Sequence, residues 1–252
     1  MRLDVALVER GLARSRNRAA RLIAEGRVLV DGQLAAKPSQ QIEEATVIVA
    51  DTEKWVSRAA HKLIAALDAS DTPVPGRVLD AGASTGGFTQ VCLARGARRV
   101  YAVDVGHGQL VEELASDPRV AAHEGLNLRD LTLADVEGEP VELVVGDVSF
   151  ISLRLILGPL LAVCRGTALL LVKPQFEVGR QGLDDGGIVR DSGLRHRAVA
   201  DVIAEAERLG WRCDWQAPSA VPGTHGNVEH FVRLRDARER PGGGRTGPRL
   251  GP

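Results

Sequence analysis

The chain has 252 residues, of which 44% are hydrophobic and 26% charged, and its formal net charge is −1. This length fits one large domain, or a medium domain with a small one, and the apolar content suffices for a buried core. The balanced charge excludes a uniformly basic nucleic-acid binder, so any such surface must be local. Apolar runs fall short of the roughly 20 residues that a membrane-spanning helix needs.

The cysteines and the N-terminus bear on the compartment. Cys92, Cys164 and Cys213 lie far apart and lack a metal-binding spacing. We interpret them as reduced thiols of a cytoplasmic protein, and the sequence predicts no metal site. The first residues mix acids with arginines and have no apolar signal-peptide core, which also favours the cytoplasm.

The beginning of the chain predicts a small separate unit. The segment "RLDVALVERG" is typical of a helix that ends at Gly11, and Ser15 can cap a second helix that ends at Gly26. An Asp31–Gly32 turn inside "RVLVDGQLA" predicts a hairpin, and "ATVIVA" predicts a further strand.

Arginines are concentrated in this unit. Six lie within residues 10–27, against one acid, Glu25. Arg14, Arg18 and Arg21 fall at i, i+4 and i+7, so we expect them on one helix face. A charge run commonly forms a solvated face, but arginines beside a single acid favour phosphate contact. The predicted RNA-binding residues are Arg14, Arg16, Arg18, Arg21 and Arg58.

The order of these elements resembles a known RNA-binding domain. The helix, helix, hairpin and strand, with "SRNRAARLIAEGRVLVDG" across the second helix and turn, resemble the αL-type domain. That domain occurs in a ribosomal small-subunit protein, in pseudouridine synthases and in tyrosyl-tRNA synthetases. The resemblance covers about residues 1–50 and implies that this unit binds RNA.

The remainder alternates between strands and helices. The strands are predicted in "GRVLDAG", "RRVYAVDVG", "RVAAHEG", "VELVVGDVSF" and "ALLLVKPQF". The helices between them include "GQLVEELAS" and the apolar "LRLILGPLLAVC". This alternation predicts an α/β fold with a doubly wound parallel sheet, whose edge is closed by a final strand pair. We assign residues 1–52 to the RNA-binding domain, 53–57 to an interdomain linker, 58–235 to the α/β domain and 236–252 to a disordered tail.

Polar groups are predicted at the carboxyl ends of several strands, where open parallel sheets bind ligands. They are the turn "DAGASTGGF", then Asp104, Asn127 and Asp147. Any one acid could be an ordinary solvated strand end, but a glycine turn followed by two acid-ended strands indicates a binding site. The predicted cofactor-binding residues are Asp80, Gly82, Ala83, Ser84, Thr85, Gly86, Gly87, Asp104, Asn127 and Asp147.

The turn favours S-adenosylmethionine over other adenosine-bearing ligands. It has no Gly-Lys-Ser/Thr for a triphosphate, and its G-x-x-x-G-G spacing differs from the G-x-G-x-x-G of dinucleotide folds. A pyrophosphate would avoid carboxylates such as Asp80 and Asp147, whereas S-adenosylmethionine carries a positive sulfonium and a positive amino group. A nicotinamide dinucleotide is the alternative cofactor.

The sequence also limits which chemical group can accept the methyl. The word "DVSF" differs from the Asn/Asp-Pro-Pro-aromatic of nitrogen methylases, and no cysteine lies in the Pro-Cys turn of cytosine-C5 methylases. A ribose hydroxyl needs a group that takes its proton, which a lysine can do and an arginine cannot. The 32 Lys+Arg residues include only four lysines, and two of these, Lys62 and Lys173, fall at plausible active-site positions.

Four residues and their surroundings resemble the Lys-Asp-Lys-Glu tetrad of the RrmJ/FtsJ-like ribose 2′-O-methyltransferases. They are Lys62 in "SRAAHKL", Asp147 in "GDVSFISL", Lys173 in "LVKPQFEVG" and Glu229 in "GNVEHF". With "LDAGASTGGFT" and the N-terminal unit, about residues 1–235 resemble the TlyA family of ribosomal RNA cytidine 2′-O-methyltransferases, which often also carry the name hemolysin. The resemblance implies a Rossmann-like domain that uses S-adenosylmethionine, ribosomal RNA as the partner, and an effect on sensitivity to cyclic-peptide antibiotics such as capreomycin.

The resemblance further implies a role for each member of the tetrad. Lys173 accepts or steers the ribose proton, and Asp147 orients Lys173 and the methyl end of the cofactor. Lys62 and Glu229 position the target ribose. Outside the tetrad, Lys62 would be an ordinary solvated helix charge and Glu229 an ordinary surface residue.

One departure from the family pattern lies in the linker. The family carries Arg-x-Trp-Val there, whereas this chain has Glu53-Lys54-Trp55-Val56. If the arginine of the family couples RNA to the cofactor, Lys54 or Arg58 must do so here.

Two other functions have less support in the sequence. A non-catalytic ribosome-assembly factor would have no reason to keep scarce lysines at two site positions. A membrane-active hemolysin lacks physical support, because the sequence has no spanning segment and no strongly amphipathic cationic helix.

Overall fold

The computed structural model describes residues 1–24, 27–31, 33–42, 47–49, 55–223 and 226–237. The chain divides into two compact units, Met1–Lys54 and Trp55–Pro252. This division falls within the predicted linker, 53–57. The predicted linker residues 53 and 54 and the predicted tail from residue 238 onward lie outside the described residues, as do Gly26 and Gly32.

The first unit has two helices and a small antiparallel sheet, as predicted. Its elements are α1 (Leu3–Glu9), α2 (Arg16–Ala24), β1 (Val28–Val30), β2 (Gln33–Leu34) and β3 (Val47–Val49), with strand order β2-β1-β3. The Ser15 hydroxyl accepts the backbone N–H of Arg18 at 3.2 Å, which confirms the predicted cap. Gly11 adopts φ +68° directly after Arg10, the C-cap of α1, where a left-handed residue commonly ends a helix.

A buried carboxylate ties the two helices of this unit together. Asp4 lies on α1 with its side chain 6% exposed, and it accepts hydrogen bonds from Arg2 at 2.9 Å and from Arg16 at 3.1 Å. The Arg2 hydrogen bond is the largest of the effects that lower the pKa of Asp4 to about 2. Arg16 therefore has an intramolecular partner in addition to any RNA that it contacts.

The second unit is a seven-stranded α/β domain. Its helices and strands are α3 (Ala59–Ala69), β4 (Arg77–Ala81), α4 (Gly87–Ala94), β5 (Arg99–Asp104), α5 (Glu112–Ala115), β6 (Val120–Glu124), β7 (Val141–Gly146), α6 (Leu157–Ala162), β8 (Cys164–Val172), α7 (Pro174–Glu177), α8 (Ser192–Arg208), β9 (Trp211–Pro218) and β10 (His230–Asp236). Short 3-10 turns lie at Leu128–Asp130, Leu133–Val136, Leu153–Leu155 and Arg180–Gly182.

The strand order β6-β5-β4-β7-β8-β10-β9 confirms the predicted sheet. Strands β4 to β8 run parallel, while β10 pairs antiparallel with both β8 and β9, so the predicted strand pair does close one edge. Val172 of β8 lies opposite His230 of β10. Continuing this register by one residue sets Lys173 beside Glu229.

Two apolar layers cover the faces of the sheet. One contains α3 and α4, including Leu63 and Val91, and the other contains α6 and α8, including Leu157 and Val202. The strands between them are buried on both faces, which explains why their sequences are continuous apolar runs. The ligand-binding edge of such a sheet is the one formed by the carboxyl ends of its strands.

Two helix predictions need correction. The predicted apolar helix "LRLILGPLLAVC" is divided into the 3-10 turn Leu153–Leu155 and α6. A continuous helix would need an N–H from Pro159, and its ring would clash with the carbonyl of Leu155; the break sets Pro159 in the first turn of α6 instead. The predicted helix "GQLVEELAS" is reduced to α5, while α7, which begins with Pro174 directly after Lys173, was not predicted.

Candidate active site

The glycine-rich turn follows β4 closely and bends back against β7. Gly82 has φ +81°, and a Cβ atom there would lie 3.1 Å from the Cα of Val148 and 3.2 Å from the carbonyl oxygen of Asp147. The backbone N–H groups of Gly82 and Ala83 both donate to the carbonyl of Val103, at 2.9 and 3.1 Å. The turn is thus fixed between the ends of β5 and β7, and only glycine fits at its first bend.

Two adjoining cavities lie at this edge of the sheet. The loop cavity, of about 400 Å³, lies beside the ends of β5 and β7 and includes Asp104 and Asn127 in its lining. The lysine cavity, of about 240 Å³, is lined by residues that include the predicted tetrad and Arg58. Both are lined by Gly82, Ser84, Asp147 and Ser149. The volume of the loop cavity falls within the range of roughly 300–1,000 Å³ that is usual for small-molecule sites, and the lysine cavity is slightly smaller.

Asp104 and Asn127 hold backbone groups at the rim of the loop cavity. Oδ2 of Asp104 accepts the N–H of Ser84, and Oδ1 accepts the N–H of Gly106, each at 2.8 Å. Oδ1 of Asn127 accepts the N–H of Arg129 at 3.0 Å and so caps the following 3-10 turn. A carboxylate oxygen has two lone pairs, so Asp104 retains acceptor capacity for a ligand.

The structure brings eight of the ten predicted cofactor-binding residues to these cavities. Asp80 lines neither of them, because side chains alternate along β4 and Asp80 shares the face of Val78, beneath α4. Gly86 lines neither of them either. With φ +95° it caps α4, and a Cβ there would meet Leu110 at 2.7 Å.

Asp80 instead supports the turn from below. It is fully buried, and the hydroxyl of Thr89 on α4 donates to Oδ2 at 2.6 Å. Among the described residues, Oδ1 has no hydrogen-bond partner. Burial raises the pKa of Asp80 to about 7, so the carboxyl group holds a proton in mildly acidic solution.

The four residues of the predicted tetrad line one cavity and form two ion pairs. Nζ of Lys173 lies 2.6 Å from Oδ1 of Asp147, and Nζ of Lys62 lies 2.6 Å from Oε2 of Glu229. Lys173 also donates to Oγ of Ser149 at 2.7 Å. Lys62 and Glu229 are 167 positions apart in the chain, so the sheet register and the packing of α3 create their contact.

These pairs are shielded from water, which makes them costly to keep. The side chains of Lys62 and Glu229 are 8% and 2% exposed, and those of Lys173 and Asp147 are 10% and 15% exposed. Burying opposite charges is often no better for stability than burying apolar groups of similar volume. Two buried pairs that line a cavity therefore indicate a functional site.

The predicted RNA-binding arginines fall into three settings. Arg18 and Arg21 lie on α2 with Arg16, whereas Arg14 precedes the helix and is exposed. The expected single face of Arg14, Arg18 and Arg21 is therefore wrong, since Ser15 begins the helix after Arg14. Arg58 lies in the other unit, directly before α3, and lines the lysine cavity.

Several site residues were not predicted. Phe150 is 90% exposed with φ +66°, and its ring centroid lies 5.2 Å from that of Phe176. Both rings line an open recess of about 380 Å³ together with Arg129 and Arg180, which we call the aromatic recess. The chain has only four phenylalanines. Their scarcity could have drawn attention to this pair, as the scarcity of lysine drew attention to Lys62 and Lys173. Other residues missed are Ser57, Gln109 and Ser149.

Among the described residues, no group of three or more His, Cys, Asp or Glu side chains could hold a metal ion. Within those same residues, no helix combines the length and apolar character needed to cross a membrane. Cys92, Cys164 and Cys213 are not joined in disulfides.

Comparison with known proteins matches both units to described families. Residues 55–236 match the FtsJ-like methyltransferase family, and residues 1–48 match the S4 domain. The chain is 49% identical to a Mycobacterium tuberculosis protein named 16S/23S rRNA (cytidine-2′-O)-methyltransferase TlyA, over 95% of this chain and 91% of the relative. It is 33% identical to a Campylobacter jejuni protein named 23S rRNA (cytidine-2′-O)-methyltransferase TlyA, over 92% and 98%.

A solved structure agrees with these matches. A protein from Streptococcus thermophilus, which carries a hemolysin name, superposes with a TM-score of 0.74 and is 37% identical. The similarity covers 94% of this chain and 89% of that one.

Proposed function

The chain belongs to the FtsJ-like methyltransferase family, and from this premise we propose that it methylates the 2′-hydroxyl of a cytidine in ribosomal RNA, with S-adenosylmethionine as the methyl donor. The names of the Mycobacterium tuberculosis and Campylobacter jejuni relatives support the substrate. The observation that carries the proposal is the pair of buried lysine–carboxylate contacts in a cavity that adjoins a nucleoside-sized one.

The loop cavity suits the cofactor by its donor set. Asp104 offers carboxylate oxygens that can accept hydrogen bonds from ribose hydroxyls, and the bend at Gly82 lets a ligand approach the backbone. Asp147 lies where the two cavities meet and brings negative charge toward a cationic ligand. S-adenosylmethionine supplies an activated methyl group on a sulfonium.

The lysine cavity suits the acceptor ribose. A ribose hydroxyl is a weak acid, so its proton must be taken as the methyl group transfers. We assign this proton to Nζ of Lys173, which Asp147 and Ser149 hold from two directions. To take the proton, Nζ must be the neutral amine, whose two N–H groups donate to Asp147 and Ser149 and whose lone pair accepts the proton of the ribose hydroxyl. The ammonium that forms is then paired with the carboxylate of Asp147.

We assign the second ion pair, Lys62–Glu229, to binding the acceptor ribose. Glu229 accepts from Lys62 through Oε2 and from the Gln175 side chain at 3.4 Å through Oε1. The pair thus presents one carboxylate and one ammonium toward the cavity, and these can hydrogen-bond the hydroxyls of a ribose.

The arginines of α2 and the aromatic recess both suit RNA, so they favour an RNA acceptor over a small-molecule acceptor. The S4 domain carries the arginines of α2, whose guanidinium groups suit phosphates. The aromatic recess offers two rings and two arginines beside the site, a combination that suits an unstacked nucleobase. We therefore propose that the target cytidine is turned out of its stack to reach the lysine cavity.

The test is transfer of a labelled methyl group from S-adenosylmethionine to purified ribosomal subunits that lack this modification, each subunit separately. Wild-type protein is expected to label one cytidine and make the adjacent bond resistant to alkali. Lys173→Ala and Lys173→Arg are both expected to bind the cofactor normally in calorimetry and to lose transfer, by about 10²- to 10⁴-fold. Arginine keeps the charge but cannot release a proton, so it separates proton handling from electrostatics.

A control variant and two contrary outcomes make the test specific to the proposed reaction and to the role of Lys173. Arg208→Ala removes an exposed cation on α8, remote from the cavities, and is expected to leave transfer unchanged. Tight RNA binding without transfer by the wild type would contradict the proposal and favour a non-catalytic assembly factor. Normal transfer by Lys173→Ala would show that the role given to Lys173 is wrong.

A further inference from the structure

Two chain segments face each other beside the lysine cavity and are joined at both ends. The first is the loop 147–152, which follows β7, and the second is 173–177, which comprises Lys173 and α7. At one end Lys173 contacts Asp147 and Ser149, both in the loop. At the other end Glu177, the last residue of α7, contacts the residues where the loop ends.

Glu177 is a buried carboxylate whose partners lie at the end of that loop and directly after it. Its side chain is 2% exposed. Oε1 accepts the backbone N–H of Leu153 at 2.7 Å, and Oε2 accepts the hydroxyl of Ser152 at 2.5 Å. Nε of Arg154 lies 3.4 Å from Oε2 and supplies the opposite charge. Such charge-assisted hydrogen bonds are the strong ones, so this end of the loop is firmly held.

The loop needs such restraint because its backbone is strained. Phe150 adopts φ +66°, a left-handed conformation that a bulky non-glycine residue keeps only where its surroundings impose it. The ring of Phe150 is 90% exposed, so burial of its own side chain does not impose that conformation. The contacts at Ser149 and at Ser152–Leu153 flank it on both sides.

Glu177 acts at a distance from the reacting groups. It lines neither the loop cavity nor the lysine cavity nor the aromatic recess. Its effect on the site must therefore pass through the loop, whose other end carries the two partners of Lys173.

From this arrangement we infer that Glu177 is a positioning residue for methyl transfer. It holds the loop 147–152 in the strained conformation in which Asp147 and Ser149 meet Lys173. The inference rests on the proposed function, because it assigns Glu177 to the same reaction.

The test compares Glu177→Ala with Glu177→Gln in the ribosomal methyl-transfer assay. The alanine removes both acceptors, so kcat is expected to fall by the order of 10- to 100-fold while KM for RNA and the cofactor affinity change little. In Glu177→Gln, the amide oxygen can still accept the Leu153 N–H, and the amide NH2 group can donate to the Ser152 hydroxyl. This variant is therefore expected to keep most of the wild-type kcat. Hydrogen exchange at the Leu153 amide is expected to accelerate in the alanine variant and much less in the glutamine variant.

Two further variants keep the test decisive. Asp117→Ala removes a carboxylate that pairs with Arg119 before β6 and lines none of the three cavities named above, and it is expected to leave kcat unchanged. If Glu177→Ala does not fold, Ser152→Ala removes a single contact of the same carboxylate and is expected to lower kcat by a smaller factor.

The outcomes separate this inference from the proposed function. Folded Glu177→Ala with wild-type kcat would overturn the inference alone, as would a loss of kcat that glutamine does not recover. Equal loss of cofactor affinity and kcat would also overturn it, since that indicates general disruption of the site. A wild-type protein that transfers no methyl group would overturn the proposed function and this inference with it.

Discussion

The loop cavity and the lysine cavity share four residues and are built in different ways. In the loop cavity, the Asp104 side chain holds backbone groups, the N–H of Ser84 and the N–H of Gly106. The lysine cavity is formed by side-chain ion pairs that join distant segments. The first kind of site follows from local chain geometry, whereas the second exists only once the whole domain has folded.

This difference predicts separable consequences of mutation. Changes in the lysine cavity should affect stability and kcat together, because they leave buried charges without partners. Changes at the loop cavity should affect cofactor affinity with little effect on stability.

The largest effect is expected for Glu229→Ala. It leaves the ammonium of Lys62 buried without its carboxylate, which is expected to lower the free energy of unfolding by about 3–5 kcal/mol and to abolish transfer. The double variant Lys62→Met/Glu229→Leu should regain stability in denaturant titrations but not transfer. Recovery of transfer by the double variant would contradict a functional role for the pair.

The second largest effect is expected in the pH dependence of stability, which depends on Asp80 beneath the glycine-rich turn. The native state holds the proton of Asp80 up to about pH 7, whereas an unperturbed carboxyl releases it near pH 3.8. Between these values the native state binds more protons, so the free energy of unfolding falls as pH rises, by the order of 4 kcal/mol across the window. Asp80→Asn mimics the protonated group and should remove this slope.

The measurement for Asp80 is denaturant unfolding of both proteins between pH 4 and pH 8. The difference between wild type and Asp80→Asn isolates this carboxyl from other titrating groups. A difference that does not vary with pH would contradict the raised pKa. Cofactor affinity at pH 6 should be the same for both proteins, because Asp80 lines neither cavity.

A smaller effect is expected at the aromatic recess. Phe150→Ala removes an exposed ring that can stack on a base, and such a contact is worth about 1–3 kcal/mol. We expect a higher KM for ribosomal RNA and, because Phe150 also lines the loop cavity, a smaller loss of cofactor affinity in calorimetry. Phe150→Tyr keeps the aromatic face and serves as the matched control; an equal loss in both variants would argue against stacking.

The smallest effect is expected for Asp104→Asn. The amide can accept only one of the two N–H groups that Asp104 now accepts, and it removes the negative charge at the rim. We expect cofactor affinity to fall by about tenfold, or 1.4 kcal/mol, with stability and the pH profile nearly unchanged. A loss of stability as large as that of Glu229→Ala would remove the distinction between the two cavities.

Much of the fold could be predicted because its signals are local. Ser15 caps α2, Gly11 follows α1, and the apolar strands alternate with helices as the sequence indicates. The exceptions have local causes as well. Pro159 divides the apolar helix, and Pro174, which suits the first turn of a helix, begins α7.

The candidate site could be predicted in part. Scarcity singled out Lys62 and Lys173, and the glycine turn indicated the ligand edge. The direction of Asp80 could not be predicted with them, because its face of β4 depends on which helices cover the sheet. Ser149 and Glu177 also gave no signal, since a serine and a glutamate are common in loops and short helices.

The sequence by itself determined the order of elements, the turn after β4 and the residue types available for the chemistry, because these depend on neighbours within a few positions. Only the tertiary structure decided which charges meet. The antiparallel pairing of β10 with β8 brings Glu229 beside Lys173, the packing of α3 sets Lys62 against Glu229, and Glu177 closes the loop that carries Asp147. These contacts join residues far apart in the chain, and burial makes them specific because an unpaired charge in the interior is costly.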